Sequence, residues 1–378
     1  MECSVARQCG GCLGPRRSYR EHLAQKEKEM TALLGRFCPV EPILGMEDPC
    51  HYRNKSIATF AQDRSGKLVS GIYAQGTHRV IPVEDCPLQM ELLNRTQAAV
   101  LAAARRCRLT PYQEDRGQGL LRHCMVRCDT AQTQALVTLV TPSAYFPGSR
   151  NFCKELTRLA PWVVGVVQSI NPRATSAVLG KTGKTLWGKD FLLDTLLGQK
   201  FALSWASFYQ VNPRQTRLLY ETALDFAGLD GTQTVLDAYC GIGTIGLCAA
   251  VRAGQVIGVE LNQAAARDAA ANARRNGAEN ARFFQGDATE WMEEQARRGQ
   301  SPQVVFLDPP RAGTTSRFIQ AVKSMGPEKV VYVSCNPQTL ARDLADFAAA
   351  GYKAVKCRPV DMFPFTAHTE AVCLLERR

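Results

Sequence analysis

No run of apolar residues in the 378-residue chain reaches the ~18–20 residues of a membrane-spanning helix. The longest stretch, around Trp162–Val167, suits a short strand. The N-terminus has no apolar signal core, which argues against secretion and for the cytoplasm. Internal repeats and low-complexity linkers are missing too, which argues against a fibrous repeat or a disordered scaffold. What is present is ordinary globular composition, 45% hydrophobic and 21% charged, in a chain long enough for two or three domains. The 15 cysteines stand out. Without a leader, such usage points to reduced thiols, metal or catalysis before disulfides.

Charge is unevenly distributed. Residues 1–200 hold 27 Lys and Arg against 17 Asp and Glu, whereas residues 201–378 hold 19 against 18. A basic half beside a neutral one suggests a polyanion-binding domain joined to one with another task. The hydrophobic pattern changes along the chain in a similar way. Tyr19–Phe37 carries a helical apolar stripe. Short alternations follow at Lys55–Phe60, Leu68–Tyr73, Ala135–Val140, Val163–Ile170 and Lys184–Trp187, broken by a helix near Glu91–Cys107. From about residue 206, strands at Gln233–Asp237, Val256–Glu260, Ala281–Gln285, Gln303–Leu307 and Lys329–Ser334 alternate with helices, which predicts an α/β fold with a parallel, doubly wound sheet. The expected division is a mostly β, basic domain over 1–205 and an α/β domain over 206–378.

In the second half, the first strand leads into Ala238-Tyr239-Cys240-Gly241-Ile242-Gly243-Thr244-Ile245-Gly246 and then a helix. Small residues at that turn let the backbone approach a ligand at a helix N-terminus. The glycine spacing alone fits a nicotinamide enzyme or a methyltransferase equally. Three further features separate them. Glu260 ends the next strand, 23 residues after Asp237, where a carboxylate can accept both ribose hydroxyls. The third strand stops at Gln285-Gly286-Asp287, a polar end that could face an adenine. The fourth ends Asp308-Pro309-Pro310-Arg311, a turn whose prolines fix φ at the sheet rim. The set resembles the class I, Rossmann-like S-adenosylmethionine-dependent methyltransferases. In relatives that modify exocyclic amines an aromatic follows D-P-P to stack on the base; here Arg311 follows, so amine methylation is demoted.

The fifth strand ends in Ser334-Cys335-Asn336-Pro337. A thiol at the carboxyl tip of a sheet strand sits where ligands bind in this architecture, and one physical reading is a nucleophile. Pyrimidine C5 is too weak a nucleophile to attack a sulfonium methyl. A thiolate adding to C6 makes C5 enolate-like, and a base must afterwards remove the C5 proton. Glu370, just before the last strand Ala371–Leu375, is a candidate base, and His368 competes for the role. Most of the other cysteines read as small buried hydrophobes.

The chain opens with Cys3-x5-Cys9-x2-Cys12, and Cys86 follows in Glu84-Asp85-Cys86-Pro87-Leu88. Four thiolates suit zinc or an iron–sulfur cluster, and spacing alone does not choose between them or exclude Cys38 and Cys50 as partners.

Taken together, Phe208-Tyr209-Gln210-Val211-Asn212, Asp237–Gly243, Val259-Glu260, Asp308–Gly313, Ser334–Pro337 and His368–Glu370 resemble, in order, the iron–sulfur-containing RNA uridine C5-methyltransferases. The resemblance implies Cys335 as nucleophile and Glu370 as proton abstractor. It implies Gln210, Tyr239, Glu260 and Asp308 in the cofactor and base pocket, and a 4Fe–4S cluster held by Cys3, Cys9, Cys12 and Cys86. It further implies that Tyr19–Leu44 packs on the methyltransferase half. Several relatives carry an N-terminal β-barrel RNA-binding (TRAM) module before the cysteines. Cys3 lies almost at the start here, so the expectation is a compact member acting on 23S rRNA; the tRNA-acting relatives typically lack the cluster.

The expected partner is therefore RNA, with no membrane and no obligate protein partner. Basic residues interleave with aromatics at Tyr52, Arg53, Lys55 and Phe60 and at Tyr73, His78 and Arg79, a pattern suited to phosphate contact and base stacking. A uridine must leave its stack to reach Cys335. Three rivals remain: a tRNA uridine methyltransferase; an RNA cytosine C5-methyltransferase, for which a second cysteine near D-P-P would be wanted and none is present; and a non-catalytic RNA-binding protein with a vestigial cofactor fold.

Overall fold

The computed structural model describes residues 2–14, 17–173 and 177–378. In chain order the described elements are α1 (Tyr19–Leu34), β1 (Lys55–Gln62), β2 (Leu68–Tyr73), β3 (Val80–Pro82), α2 (Glu91–Arg106), β4 (His123–Cys128), β5 (Ala135–Thr141), α3 (Ser149–Leu159), β6 (Val163–Ile170), β7 (Thr182–Gly188), β8 (Phe191–Leu196) and β9 (Gln199–Ser204). There follow α4 (Pro213–Ala227), β10 (Thr234–Ala238), α5 (Thr244–Ala250), β11 (Gln255–Glu260), α6 (Gln263–Arg275), β12 (Ala281–Gln285), α7 (Ala288–Arg297), β13 (Val304–Leu307), α8 (Ser316–Met325), β14 (Lys329–Ser334), α9 (Pro337–Ala349), β15 (Tyr352–Val360) and β16 (Glu370–Arg377). They form two compact units.

The first unit comprises Met1–Arg16, Pro49–Asp194 and Ala202–Ala206. Its sheet runs β3-β2-β1-β4-β5-β6-β7. All pairs are antiparallel except β5 with β6, and a parallel pair needs a crossover, which α3 supplies. That helix had no counterpart in the sequence reading. The core joins Leu93, Val100 and Ala103 of α2 and Phe152 and Leu156 of α3 to Val126, Val137, Leu139 and Val166 of the sheet, all essentially inaccessible.

The second unit comprises Arg17–Asp48, Thr195–Phe201 and Ser207–Arg378. Its sheet order is β12-β11-β10-β13-β14-β16-β15. Six strands run one way, and β16 runs against both of its neighbours. The fully parallel sheet expected from the alternating pattern is thus a mixed one. A short connection explains the reversal: residues 361–369 are too few for a parallel crossover, so β16 returns beside β15 and inserts next to β14.

Most helices of this unit start at a side-chain cap, whereas α5 starts at Gly243 without one. Asn212, Asn262, Asp287, Thr315 and Asn336 all accept a backbone N–H at a helix start, and Pro213 and Pro337 occupy the first helical turn. These caps fix where the strand-end loops sit. In α1, Ser18 and Glu21 form a capping box, and the buried face is His22, Lys26, Met30 and Leu34 at a four-residue spacing. Met30 and Leu34 join the core of this unit with Phe318, Tyr332, Phe347 and Tyr352. Residues 40–44 extend the sheet edge, with parallel bridges from Val40 to Cys357 and from Leu44 to Val360.

Candidate active site

The carboxyl ends of β10 and β11 form a cradle. Beyond β10 the chain turns through left-handed conformations at Tyr239 (φ 64), Gly241 (φ 56) and Gly243 (φ 82). A side chain at Gly243 would also meet the Phe283 ring at 2.9 Å, so the turn requires glycine. Asp237, 1% exposed, accepts the Gly246 N–H through Oδ2 at 2.8 Å. Burial, with Asp308 and Glu260 nearby, pushes its carboxyl up to about 8. Glu260 accepts the N–H of Gly241 at 3.0 Å and of Asn262 at 2.7 Å, which locks it against the glycine turn. Tyr239 stacks on Phe318 with centroids 5.3 Å apart, and Asp287 lies close enough to act on its hydroxyl. Asp287 itself caps α7 through the N–H groups of Thr289 and Glu290. The arrangement can receive a ligand bearing hydroxyls, with a carboxylate and an aromatic face on one side.

A second group gathers where β13, β14 and β16 meet. The turn after β13 is clasped from several directions. Gly313 (φ 77) donates its N–H to the Pro310 carbonyl at 2.8 Å. Asn336 Nδ2 donates to the Arg311 carbonyl, and Arg342 donates to the carbonyls of Ala312 and Thr314. Asp343, wholly buried, accepts the Thr314 N–H and the Tyr332 hydroxyl through Oδ2. Asp308, at the head of this turn, is pushed up to about 7 by burial.

Cys335 is half-buried immediately after β14. Burial, then Glu370 and Asp308, push its thiol up to about 11, and Arg311 opposes them. Glu370 opens β16, is 2% exposed, and is held well above the usual carboxylate range by burial and by Asp308. Its Oε2 has no hydrogen-bond partner among the described residues. His368, the competing base, is exposed, and its Nδ1 lies 2.9 Å from the Arg311 guanidinium. Gln210 is buried beside Tyr209, on the segment entering α4. Tyr220 of α4 lies near both Tyr209 and Asp308 and pairs with Thr244 at 3.0 Å.

Two sets of supporting residues carried no sequence signal as such. Asp343, on α9, has no place in the sequence motifs, yet it anchors the turn after β13. Lys26, 4% exposed in α1, donates to Asp361 Oδ1 at 2.6 Å and to the carbonyls of Phe363 and His368 at 3.0 and 2.7 Å. These partners are more than 330 positions away in sequence, and no local pattern could disclose them.

The N-terminal cysteines lie in the first unit. Cys9 is raised by burial and acted on by Cys12 and Cys3, and Cys86 is raised by burial and acted on by Cys12. Gly11 donates its N–H to Cys9 Sγ at 3.3 Å, the N–H groups of Leu88 and Gln89 reach Cys86, and Arg53 is near both. Thiols with N–H donors and a cation beside them have the chemistry of thiolate ligands, but their placement is not that of a closed ligand set. No three His, Cys, Asp or Glu side chains among the described residues are arranged to hold a metal ion. Cys38, left open as a ligand, belongs to the second unit and hydrogen-bonds Cys373.

The pattern of the tRNA (uracil-5-)-methyltransferase family matches residues 180–378. An uncharacterized RNA methyltransferase of Halalkalibacterium halodurans is 40% identical over 99% of this chain and 82% of its own length. The chain belongs to the RNA uracil-5-methyltransferase family. A second such RNA methyltransferase, from Listeria innocua, is 41% identical over 99% of this chain and 83% of its own length. The fold matches Pyrococcus abyssi tRNA (uracil-54, C5)-methyltransferase, solved with S-adenosyl-L-homocysteine, at a TM-score of 0.80, 24% identity and coverage of 97% and 86% of the two chains. As a member of the family the protein is an S-adenosylmethionine-dependent RNA methyltransferase with a class I fold. The nicotinamide and non-catalytic readings of the sequence are thereby set aside. The glycine turn of this methyltransferase, closed to any larger residue at Gly243, and the Glu260 carboxylate beside it fit the methyl donor's nucleoside.

Proposed function

We propose that this methyltransferase forms 5-methyluridine in RNA, with 23S rRNA as its target, through a covalent adduct at Cys335. The observation that carries the reading is the grouping of a half-buried thiol with a buried carboxylate whose Oε2 has no hydrogen-bond partner among the described residues. The Cys335 thiolate adds to C6 of the uracil, and the electron pair moves to make C5 nucleophilic. C5 takes the methyl group, and S-adenosylhomocysteine leaves. Glu370 then removes the C5 proton, the C5–C6 double bond re-forms, and the carbon–sulfur bond breaks to return the thiolate. A base left without hydrogen-bond partners and raised by burial is suited to accept a proton.

In this reading Gly241, Gly243, Tyr239, Glu260 and Asp287 receive the nucleoside of the methyl donor, and Gln210 and Asp308 line the donor and base pocket. Cys3, Cys9, Cys12 and Cys86 hold a 4Fe–4S cluster that braces the first unit. That unit carries 21 Lys and Arg against 11 Asp and Glu, which supports RNA binding there. The cysteine pattern favours 23S rRNA. A tRNA substrate is the second reading, because the Pyrococcus abyssi enzyme of the same fold acts on uracil-54 of tRNA.

The test supplies anaerobically purified protein and methyl-labelled S-adenosylmethionine with unmodified 23S rRNA and tRNA transcripts, followed by nucleoside mass spectrometry. Labelled 5-methyluridine in rRNA alone is the expected result. Label in tRNA alone overturns the substrate, and label in 5-methylcytidine or in no pyrimidine C5 overturns the chemistry.

A further inference from the structure

The loop between β15 and β16 ends on Glu370, and it is tied down from outside the sheet by one ammonium group. Lys26 has three N–H donors and three acceptors, Asp361 Oδ1, the Phe363 carbonyl and the His368 carbonyl. The acceptors fall at the start, the middle and the end of residues 361–369. The group is thus saturated, and it spans the loop. Tyr19, also on α1, donates to Asp361 Oδ2 at 2.8 Å and receives the Met46 N–H at 2.9 Å. His22 meets the ring of Phe365 edge-on, and Phe365 has a left-handed backbone (φ 58). Within the loop, Thr366 accepts the His368 N–H and donates to the Phe363 carbonyl.

Glu370 lacks a corresponding support of its own. Its Oε2 makes no hydrogen bond among the described residues, so the carboxylate's aim depends on where the backbone sets it down. The His368 carbonyl, two residues earlier, is held by Lys26 at 2.7 Å. A buried charge with a costly desolvation is retained in α1, although a methionine would fill the same space within an apolar stripe that continues with Met30 and Leu34.

We infer that Lys26 is a positioning residue for proton abstraction, fixing the 361–369 loop so that Glu370 meets the C5 proton of the methylated adduct. This rests on the Glu370 role proposed above. The step it serves is the last one: the C5 proton passes to Glu370, the pair re-forms the double bond, and the Cys335 thiolate departs. Without Lys26 the adduct still forms and is methylated, but it is resolved slowly.

The test compares wild type with K26M, with K26M/D361N, and with E370Q. The double variant removes the buried Asp361 charge that K26M would leave uncompensated, so it keeps the experiment readable if K26M folds poorly. For K26M/D361N the expected result is S-adenosylmethionine affinity and RNA KM within about twofold of wild type, kcat lower on the order of 10²-fold, and a denaturation-resistant enzyme–RNA adduct carrying the transferred methyl group. A purely structural role would lower cofactor binding or folded fraction and leave no methylated adduct, which overturns the inference. So does wild-type kcat. E370Q separates the two claims. An E370Q that accumulates adduct beside a fully active K26M/D361N overturns the Lys26 inference alone, whereas a fully active E370Q overturns the Glu370 role and this inference with it.

Discussion

Cys335 and Glu370 sit at the adjacent ends of two antiparallel strands, β14 and β16. The ladder pairs Ser334 with Ala371, Cys335 follows Ser334 and Glu370 precedes Ala371, and the carboxylate is one of the groups that raise the thiol. The reversal of a single strand thereby brings a thiol and a carboxyl to the same end of the sheet, as the proposed nucleophile and proton acceptor require. Asp308, which follows β13 on the other side of β14, acts on both.

Cys335→Ala should abolish methylation while leaving S-adenosylmethionine affinity within about twofold, because the thiol lies apart from the glycine turn. Equilibrium dialysis and single-turnover assays check this. Loss of one nucleophile from a covalent mechanism is expected to cost on the order of 10⁴-fold or more.

The pH profile follows from the raised thiol. A group that acts deprotonated and is held near 11 in the free protein gains active form as pH rises. The second-order rate constant kcat/KM should therefore climb between about pH 6 and 9 without a plateau. A plateau beginning near neutrality would show that Arg311 outweighs burial at Cys335.

Burial of carboxyls also sets a stability trend. Asp237, raised to about 8 from an ordinary value near 3.8, holds its proton longer in the folded than in the unfolded state. Its contribution is complete below about pH 4 and is lost as pH rises towards 8. Asp237→Asn should therefore have a higher Tm than wild type at pH 8, by about 5 °C, with the gap closing near pH 4. Differential scanning fluorimetry across that range is sufficient. Glu370→Gln should show the same sign, since burial raises Glu370 too.

Replacing Cys86 with Ser should lower bound iron in anaerobically purified protein by half or more, while S-adenosylmethionine binding is unchanged. Metal analysis of wild type should find about four irons per chain and no stoichiometric zinc. One zinc per chain would overturn the cluster assignment.

Much of the fold was legible because its causes are local. The buried strands β13 and β14 are short, mainly apolar runs built on Val with Phe, Leu and Tyr, and the turns after β10, β13 and β14 are marked by glycine, proline and capping residues. Helix α2 was expected at Glu91–Cys107 and spans Glu91–Arg106. What escaped depends on distant partners. The direction of β16 is set by the length of a loop and by its pairing with β14, and its continuous buried run reads the same in either direction. Lys26 looked like one of several charges on an amphipathic helix, and its burial follows only from the loop at Asp361–His368. Arg17–Asp48 lies in the second unit, with α1 packed on α9 and β15; the family resemblance implies that placement for Tyr19–Leu44, and no local pattern does.

The proposed chemistry turns on a covalent bond between Cys335 and the uracil ring. RNA carrying 5-fluorouridine at the target position tests it most directly, since fluorine at C5 leaves no proton to remove and the methylated adduct cannot collapse. Incubation with S-adenosylmethionine, proteolysis and mass spectrometry should yield a peptide containing Cys335 joined to a methylated fluorouridine nucleotide. An adduct on another residue, or none while the same protein methylates ordinary RNA, would contradict the mechanism.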